Sequence, residues 1–236
     1  MEILDGHTHI GLKTFIPLEI EKFLYQRQVL RDKLENSAEG LIFQMKKNNI
    51  NKAVAFPFPL PNINVSLANA YVLKSKQKYP NKIIPFGLID TNIDYWLMNG
   101  MLGFKHHSGL LPNYDFLEMA YQKIRNANVP LLIHISRRYG SFENQILQIQ
   151  KYAPNITLII AHMGRWVPNT GEGVRNNLDA NIKWENVYLE TSTVRNPKTI
   201  ELAVHRLGIE KILFGSDIPF NSCIDESPLG EELKII

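Results

Sequence analysis

The stretch VPLLIHI, Val129–Ile135, is apolar throughout except for His134 near its end. A strand with one wet face alternates apolar and polar residues. A strand buried on both faces reads as a continuous apolar run. The same texture recurs along the chain in TLIIAH (Thr157–His162), VYLETS (Val187–Ser192) and KILFGS (Lys211–Ser216). Upstream it appears in EILD (Glu2–Asp5), KAVAFP (Lys52–Pro57), IIPFGLI (Ile83–Ile89) and MLGFKH (Met101–His106). Eight strands of this kind predict a parallel sheet covered on both sides.

Helical patterns lie between them. SAEGLIFQMKKNNI (Ser37–Ile50) starts at a Ser cap, and SLANAYVLKSKQKY (Ser66–Tyr79) does the same and stops before Pro80. DFLEMAYQKIRNAN (Asp115–Asn128) opens with Asp115 and Glu118 in capping-box spacing. SFENQILQIQKYA (Ser141–Ala153) runs to Pro154. NPKTIELAVHRLG (Asn196–Gly208) has an Asn cap, Pro in its first turn and Gly at its end. Strand and helix alternate, which argues for an α/β protein with parallel strands. Eight units fit a closed (β/α)₈ TIM barrel, and no Gly-rich dinucleotide or phosphate loop favours an open sheet. Nothing divides the chain, so residues 1–236 are read as one domain. An extra segment, Phe15–Asn36, follows the first strand over the mouth and reads either as a lid or as a packed decoration with no role in closure. The short tail Glu226–Ile236 predicts a short or incomplete eighth helix.

Composition narrows the class. The chain has 236 residues, 44% of them hydrophobic, and a net charge of +3. That charge is too small to argue for nucleic acid. Cys223 is the one cysteine, so no internal disulfide is possible. There is no signal-peptide pattern and no apolar run near the roughly 20 residues of a membrane span. A cytoplasmic protein with no membrane and no nucleic-acid partner is the expectation, with a homodimer left open.

In such a barrel, chemistry sits at the C-terminal ends of the strands. His7 and His9 close the first strand, Lys105 the fourth, His134 the fifth, His162 the sixth and Asp217 the eighth. Residues i and i+2 of a strand point to the same face, so His7 and His9 can share one cation. Imidazole suits zinc, manganese, nickel and iron, and a carboxylate completes a site with open positions. A lone His at a strand end is more often a hydrogen-bonded structural residue. The whole set in barrel order is far harder to reach by accident. Asp5 shares their direction but lies deeper, as a supporting group. Gly6 and Thr8 face the other way, where small residues let helices pack close.

At these residues the chain resembles the amidohydrolase superfamily. GFKHH, AHMGR and FGSDIPF are most similar to the amidohydrolase-related (amidohydrolase 2) branch that includes aminocarboxymuconate-semialdehyde decarboxylase. The resemblance implies that His7, His9, His134 and Asp217 hold one divalent metal, zinc first among the candidates, with no organic cofactor. Asp217 would also take a proton from the attacking water, and His162 would contact that water or the substrate. In binuclear members a carboxylated lysine at the place of Lys105 bridges two metals, with His134 and His162 on the second. The reading favoured here is one metal and a free Lys105 that binds a substrate carboxylate. His107 shares the direction of Lys105 and can reach the pocket. His106 packs outside, and His205 lies mid-helix.

Arg137, Arg138, Arg165 and Arg195 follow the fifth to seventh strands. Their forks match carboxylate or phosphate oxygens, and Arg165, three residues beyond His162, is the expected substrate anchor. The leading expectation is hydrolysis of a small anionic ester, lactone or amide by water activated at the metal. Non-oxidative decarboxylation of a small unsaturated or aromatic acid is the first alternative, and a non-catalytic metal-binding barrel the second. A trinuclear phosphoesterase needs more ligands than the chain offers. A metal-dependent deoxyribonuclease would carry a carboxylate where Lys105 stands.

Overall fold

The computed structural model describes residues 2–17, 35–109, 114–164 and 172–220. Eight parallel strands follow one another around a barrel in sequence order. They are β1 (Leu4–His9), β2 (Lys52–Phe56), β3 (Ile83–Leu88) and β4 (Gly103–His107). The second half adds β5 (Leu131–His134), β6 (Leu158–Ile160), β7 (Val187–Glu190) and β8 (Ile212–Leu213). The architecture is a (β/α)₈ TIM barrel.

Side-chain parity explains the continuous apolar runs. Val54, Phe56, Phe86, Leu132 and Ile159 fill the barrel interior. Their strand neighbours Ala53, Ala55, Leu131, Ile133, Leu158 and Ile160 pack into the layer under the helices. Both faces are dry, so neither tolerates polar side chains unless a function requires them.

Closure departs from the sequence expectation. The sequence predicts an eighth strand over Lys211–Ser216, yet β8 is only Ile212–Leu213. The chain beyond it closes the barrel on β1 through single backbone bonds. Gly6 N donates to Phe214 O, Asp217 N to His7 O and His9 N to Ile218 O, each at 2.8 Å. Within β1 the register against β2 slips between Asp5 and Thr8. Thr8 does not serve helix packing: its Oγ1 donates to Val54 O at 2.8 Å. Gly6 is small for a similar reason, since a Cβ there would lie 3.0 Å from Phe214 O.

The helices are α1 (Ala38–Lys47), α2 (Val65–Lys78), α3 (Ile93–Met98), α4 (Tyr114–Asn126), α5 (Phe142–Tyr152), α6 (Glu172–Leu178) and α7 (Pro197–Leu207). Ser37, Ser141 and Asn196 cap α1, α5 and α7 with their side chains, as the sequence suggests. Two caps differ. Asn64, not Ser66, caps α2 by accepting from Leu67 N. α4 begins at Tyr114, so Asp115 lies inside it rather than ahead of it. α3 and α6 leave no helical signature in the sequence, because 6 and 7 residues do not establish a period. Of the segment after β1, residues 18–34 lie outside the described residues, as does the tail Glu226–Ile236. What is described is a short turn, Lys13–Phe15, and an antiparallel bridge between Gly11 and Asn36.

Candidate metal centre

β1 presents His7 and His9 inward, both buried, and the turn after β8 carries Asp217 to meet them. Asp217 Oδ1 lies 3.2 Å from His7 Nε2 and 3.0 Å from His9 Nε2. Hydrogen bonds on the far side of each ring fix what these atoms are. His7 Nδ1 faces the Glu190 carboxylate at 2.7 Å, and His9 Nδ1 faces the Pro57 carbonyl at 3.3 Å. A carboxylate and a carbonyl can only accept, so both rings place N–H at Nδ1 and turn Nε2 toward Asp217, with a lone pair there when the ring is neutral. Two imidazole Nε2 atoms and a carboxylate oxygen therefore converge. Such a set needs a positive charge. A proton supplies one: against burial and Lys105, Glu190 and Asp217 raise the His7 pKa. A divalent cation in the proton's place suits the same three atoms. With bonds of about 2.0 Å to nitrogen and oxygen, neighbouring ligands of a tetrahedral ion stand about 3.3 Å apart, close to the separations found. The residues present fit a metal.

Glu190 was not among the sequence candidates, yet it organises the centre. It is fully buried at the end of β7. Its Oε2 accepts from His7 Nδ1, from His162 N at 3.2 Å and from Ser192 Oγ at 2.9 Å. Its Oε1 accepts from Ser192 N. His7, His162 and Glu190 also stand close enough to form a ligand cluster. With its oxygens already facing these donors, Glu190 reads as the group that orients His7 rather than as a ligand.

The expected sixth strand ends early, at Ile160, and His162 sits in a turn with left-handed backbone at φ 57° and ψ 27°. Asp217 is left-handed too, at φ 57°. Non-glycine residues pay for this conformation with strain, which concentrates at functional sites. His162 is held by Ser192 Oγ, 2.8 Å from its Nδ1, and its Nε2 lies 3.1 Å from His134 Nδ1. His134, expected as a ligand beside His7 and His9, lies outside the 4.8 Å cluster of His7, His9 and Asp217. Its ring stacks on His107 with centroids 4.2 Å apart and meets His162 edge-on.

Lys105 points inward as parity requires and is 2% exposed. Its Nζ lies 3.5 Å from His7 Nε2 and 5.1 Å from the centre of the Phe56 ring. Burial pushes its pKa down to about 7, against the pull of Asp217 and Glu190. Burial likewise lowers His9 to about 4. Burial alone would raise Asp217, but His7 and His9 hold its carboxyl well below the usual range. Asp5 accepts from His7 N at 3.0 Å and Ser216 N at 3.1 Å, and burial lifts its pKa to about 7. It braces β1 against the chain after β8, the supporting place read from the sequence. His106 packs outward against Tyr121, as expected. Arg165 lies outside the described residues. Arg137 and Arg138 occupy the turn Arg137–Tyr139 after β5.

Beside Lys105 and His107 lies a cavity of about 190 Å³. Its other walls include Pro59, Leu60, Pro61 and Ile63, from the loop between β2 and α2.

Comparison with known proteins bears on the family and the fold. The chain belongs to the amidohydrolase family: the profile described as Amidohydrolase matches residues 62–233. No curated protein matches it in sequence. Among solved structures it is similar to a probable 2-pyrone-4,6-dicarboxylic acid hydrolase from Acinetobacter baumannii crystallised with citric acid. The TM-score is 0.76 at 17% identity, covering 100% of this chain and 92% of that one. It is also similar to 5-carboxyvanillate decarboxylase from Sphingomonas paucimobilis, with TM-score 0.72, 12% identity and 99% and 92% covered. A 5-carboxyvanillate decarboxylase from Novosphingobium aromaticivorans, complexed with manganese and a nitrobenzoic acid, gives TM-score 0.70 at 15% identity, covering 99% and 89%. At these identities the likeness is one of fold. Family and fold together make the chain an enzyme of the amidohydrolase superfamily, a group whose members here include both hydrolases and decarboxylases. Among the described residues no helix is long and apolar enough to cross a membrane.

Proposed function

We propose that this protein is a metal-dependent hydrolase of a small anionic ester, lactone or amide. The observation that carries the reading is the convergence of two imidazole Nε2 atoms and the Asp217 carboxylate on one point. His7, His9 and Asp217 would hold the ion, with His134 completing the set expected from the family; zinc is the first candidate and manganese the second. A divalent ion there supplies Lewis-acid polarisation of a carbonyl and makes water more acidic.

The chain's own residues do the rest. Asp217, only partly buried, takes the proton of the attacking water. His162, fixed by Ser192, orients the reacting groups. Lys105 and His107 meet the substrate's carboxylate, and Arg165 is the further anchor expected beyond His162. The loop from Pro59 to Ile63 gives the substrate's body an apolar wall.

That same wall beside Lys105 also favours a second reading, non-oxidative decarboxylation of an unsaturated or aromatic acid. There the carbon–carboxylate bond breaks, carbon dioxide leaves, and a proton replaces it on carbon. One experiment separates the two. The purified protein, loaded with zinc or with manganese, is offered lactones, esters, amides and aromatic acids. Net addition of water to the substrate supports hydrolysis, and release of carbon dioxide supports decarboxylation. A preparation that binds far less than one metal per chain after reconstitution would return the chain to a non-catalytic barrel.

A further inference from the structure

Behind the rim that carries His107 and His134 lies a second cavity, of about 40 Å³, between β4, β5, α4 and α5. Among its walls are His106, Ser108, Tyr121, Ile133 and Gln145. Two buried side-chain atoms lack a hydrogen-bond partner among the described residues, His106 Nε2 and Gln145 Oε1. Both belong to residues lining this one cavity. His106 is 3% exposed and Gln145 7%.

The neighbours fix what Gln145 offers and narrow what His106 offers to two tautomers. Gln145 Nε2 donates to the carbonyls of Ser136 and Gly140, each at 2.9 Å, and to Ser141 O at 3.4 Å. Three acceptors on one side determine the amide's orientation, so Oε1 is the acceptor left over. His106 Nδ1 lies 2.6 Å from the Tyr121 hydroxyl. If the hydroxyl donates to Nδ1, Nε2 carries the proton and is the donor left over; the nitrogen-15 measurement below decides this tautomer. Burial holds this imidazole neutral by lowering its pKa to about 3. An unmet buried donor or acceptor costs about 1–3 kcal/mol, and a polar cavity above roughly 10–15 Å³ admits a water.

We propose that the cavity is a water-binding site, in which one ordered water accepts from His106 Nε2–H and donates to Gln145 Oε1. Water fits because it accepts and donates within so small a volume. An ammonium ion could not accept from the imidazole, and an apolar guest would leave both atoms unmet. The site has a positional consequence. Gln145 gathers the loop from Ser136 to Ser141, which contains the Arg137–Tyr139 turn. Ser136 N is also bound to Ser108 Oγ, and Ser108 N to His134 O at 3.1 Å. The water joins this loop to the outward face of β4, one residue from His107.

The test is a crystal structure of the intact protein that resolves ordered water. Density within about 3.2 Å of both His106 Nε2 and Gln145 Oε1 is expected. Density absent from the cavity, or bonded to only one of the two, overturns the proposal. A solution measurement checks the donor assignment independently. Nitrogen-15 shifts should show His106 as the neutral Nε2–H tautomer, with a ring proton in contact with long-lived water. An Nδ1–H tautomer would overturn it. In His106→Phe, the water density should vanish while metal content stays at the wild-type level. Retained density at Gln145 with the ring nitrogens gone would contradict the bridge.

Discussion

Lys105→Met should stabilise the metal-free protein while removing its activity. Lys105 is 2% exposed, and burial takes its pKa from the ordinary 10.5 to about 7. Below about pH 7 both folded and unfolded chains carry the charge, and the folded chain bears the whole cost of burying it. Between about 7 and 10.5 the unfolded chain holds the extra proton, so stability rises with pH across that window. From 10.5 to about 7, at 1.36 kcal/mol per pH unit, the cost is on the order of 5 kcal/mol. At about pH 9 roughly 2 kcal/mol of it remains. Methionine has similar length and no charge, so the gain should be largest at about pH 6 and fade toward alkaline pH. Even half the full amount would raise the melting temperature by about 5–10 °C for a chain of this size. The assay is urea unfolding followed by tryptophan fluorescence, with a chelator present, at about pH 6, 7.5 and 9. A stability difference between variant and wild type that is flat across this range refutes the reasoning, as does a variant less stable than wild type at about pH 6. Turnover of the identified substrate should fall in the same variant, because the amine meant for the substrate carboxylate is gone.

Four further outcomes are expected. Asp217→Asn should fold normally but lose metal stoichiometry and turnover together, read by elemental analysis and rate; full metal content with full rate would remove Asp217 from the centre. Glu190→Gln places an amide donor among the N–H groups of His7, Ser192 and His162. Metal affinity should fall about 10–100-fold, measured by competition with a chelator, and unchanged affinity would mean that Glu190 does not orient His7. Gly215→Ala would drive a Cβ into the Glu190 carboxylate and within 2.8 Å of His7 Cβ. It should cost about 1–3 kcal/mol together with metal binding, and a fully metallated variant of normal stability would contradict that crowding. Arg165→Ala should raise KM for the substrate more than it lowers kcat, whereas an unchanged KM would release Arg165 from the anchoring role.

The barrel was legible because its strands are dry on both faces. Ala53 and Ala55 meet the helices while Val54 and Phe56 fill the interior, and nothing in KAVAFP needs to be polar. What the sequence hid were elements too short to show a period, α3 and α6, and the way the barrel closes. KILFGS reads as a strand to Ser216, but the chain leaves regular pairing after Leu213. It continues on single bonds to β1, and that irregular path is what swings Asp217 inward at a left-handed backbone angle. Apolar content does not encode such a departure.

The site divides along the same line. His7 and His9 were legible because alternation on a strand is independent of the rest of the fold. Asp217 and His162 were legible as polar residues at the ends of apolar runs. The geometry joining them was not. His134 shares their rim, yet its ring pairs with His107 and His162, a choice made by three-dimensional spacing rather than strand order. Glu190 had a usable signal: it follows Leu189 with the inward parity of Tyr188, in a strand buried on both faces. An ionised group in that place is costly unless donors surround it, so its presence demanded them. Reading VYLETS for the charge it buries, rather than only for the strand it forms, leads from Glu190 to His7 and His162. It leads also to Gly215, whose missing side chain makes room for the carboxylate that sets the metal-facing nitrogen of His7.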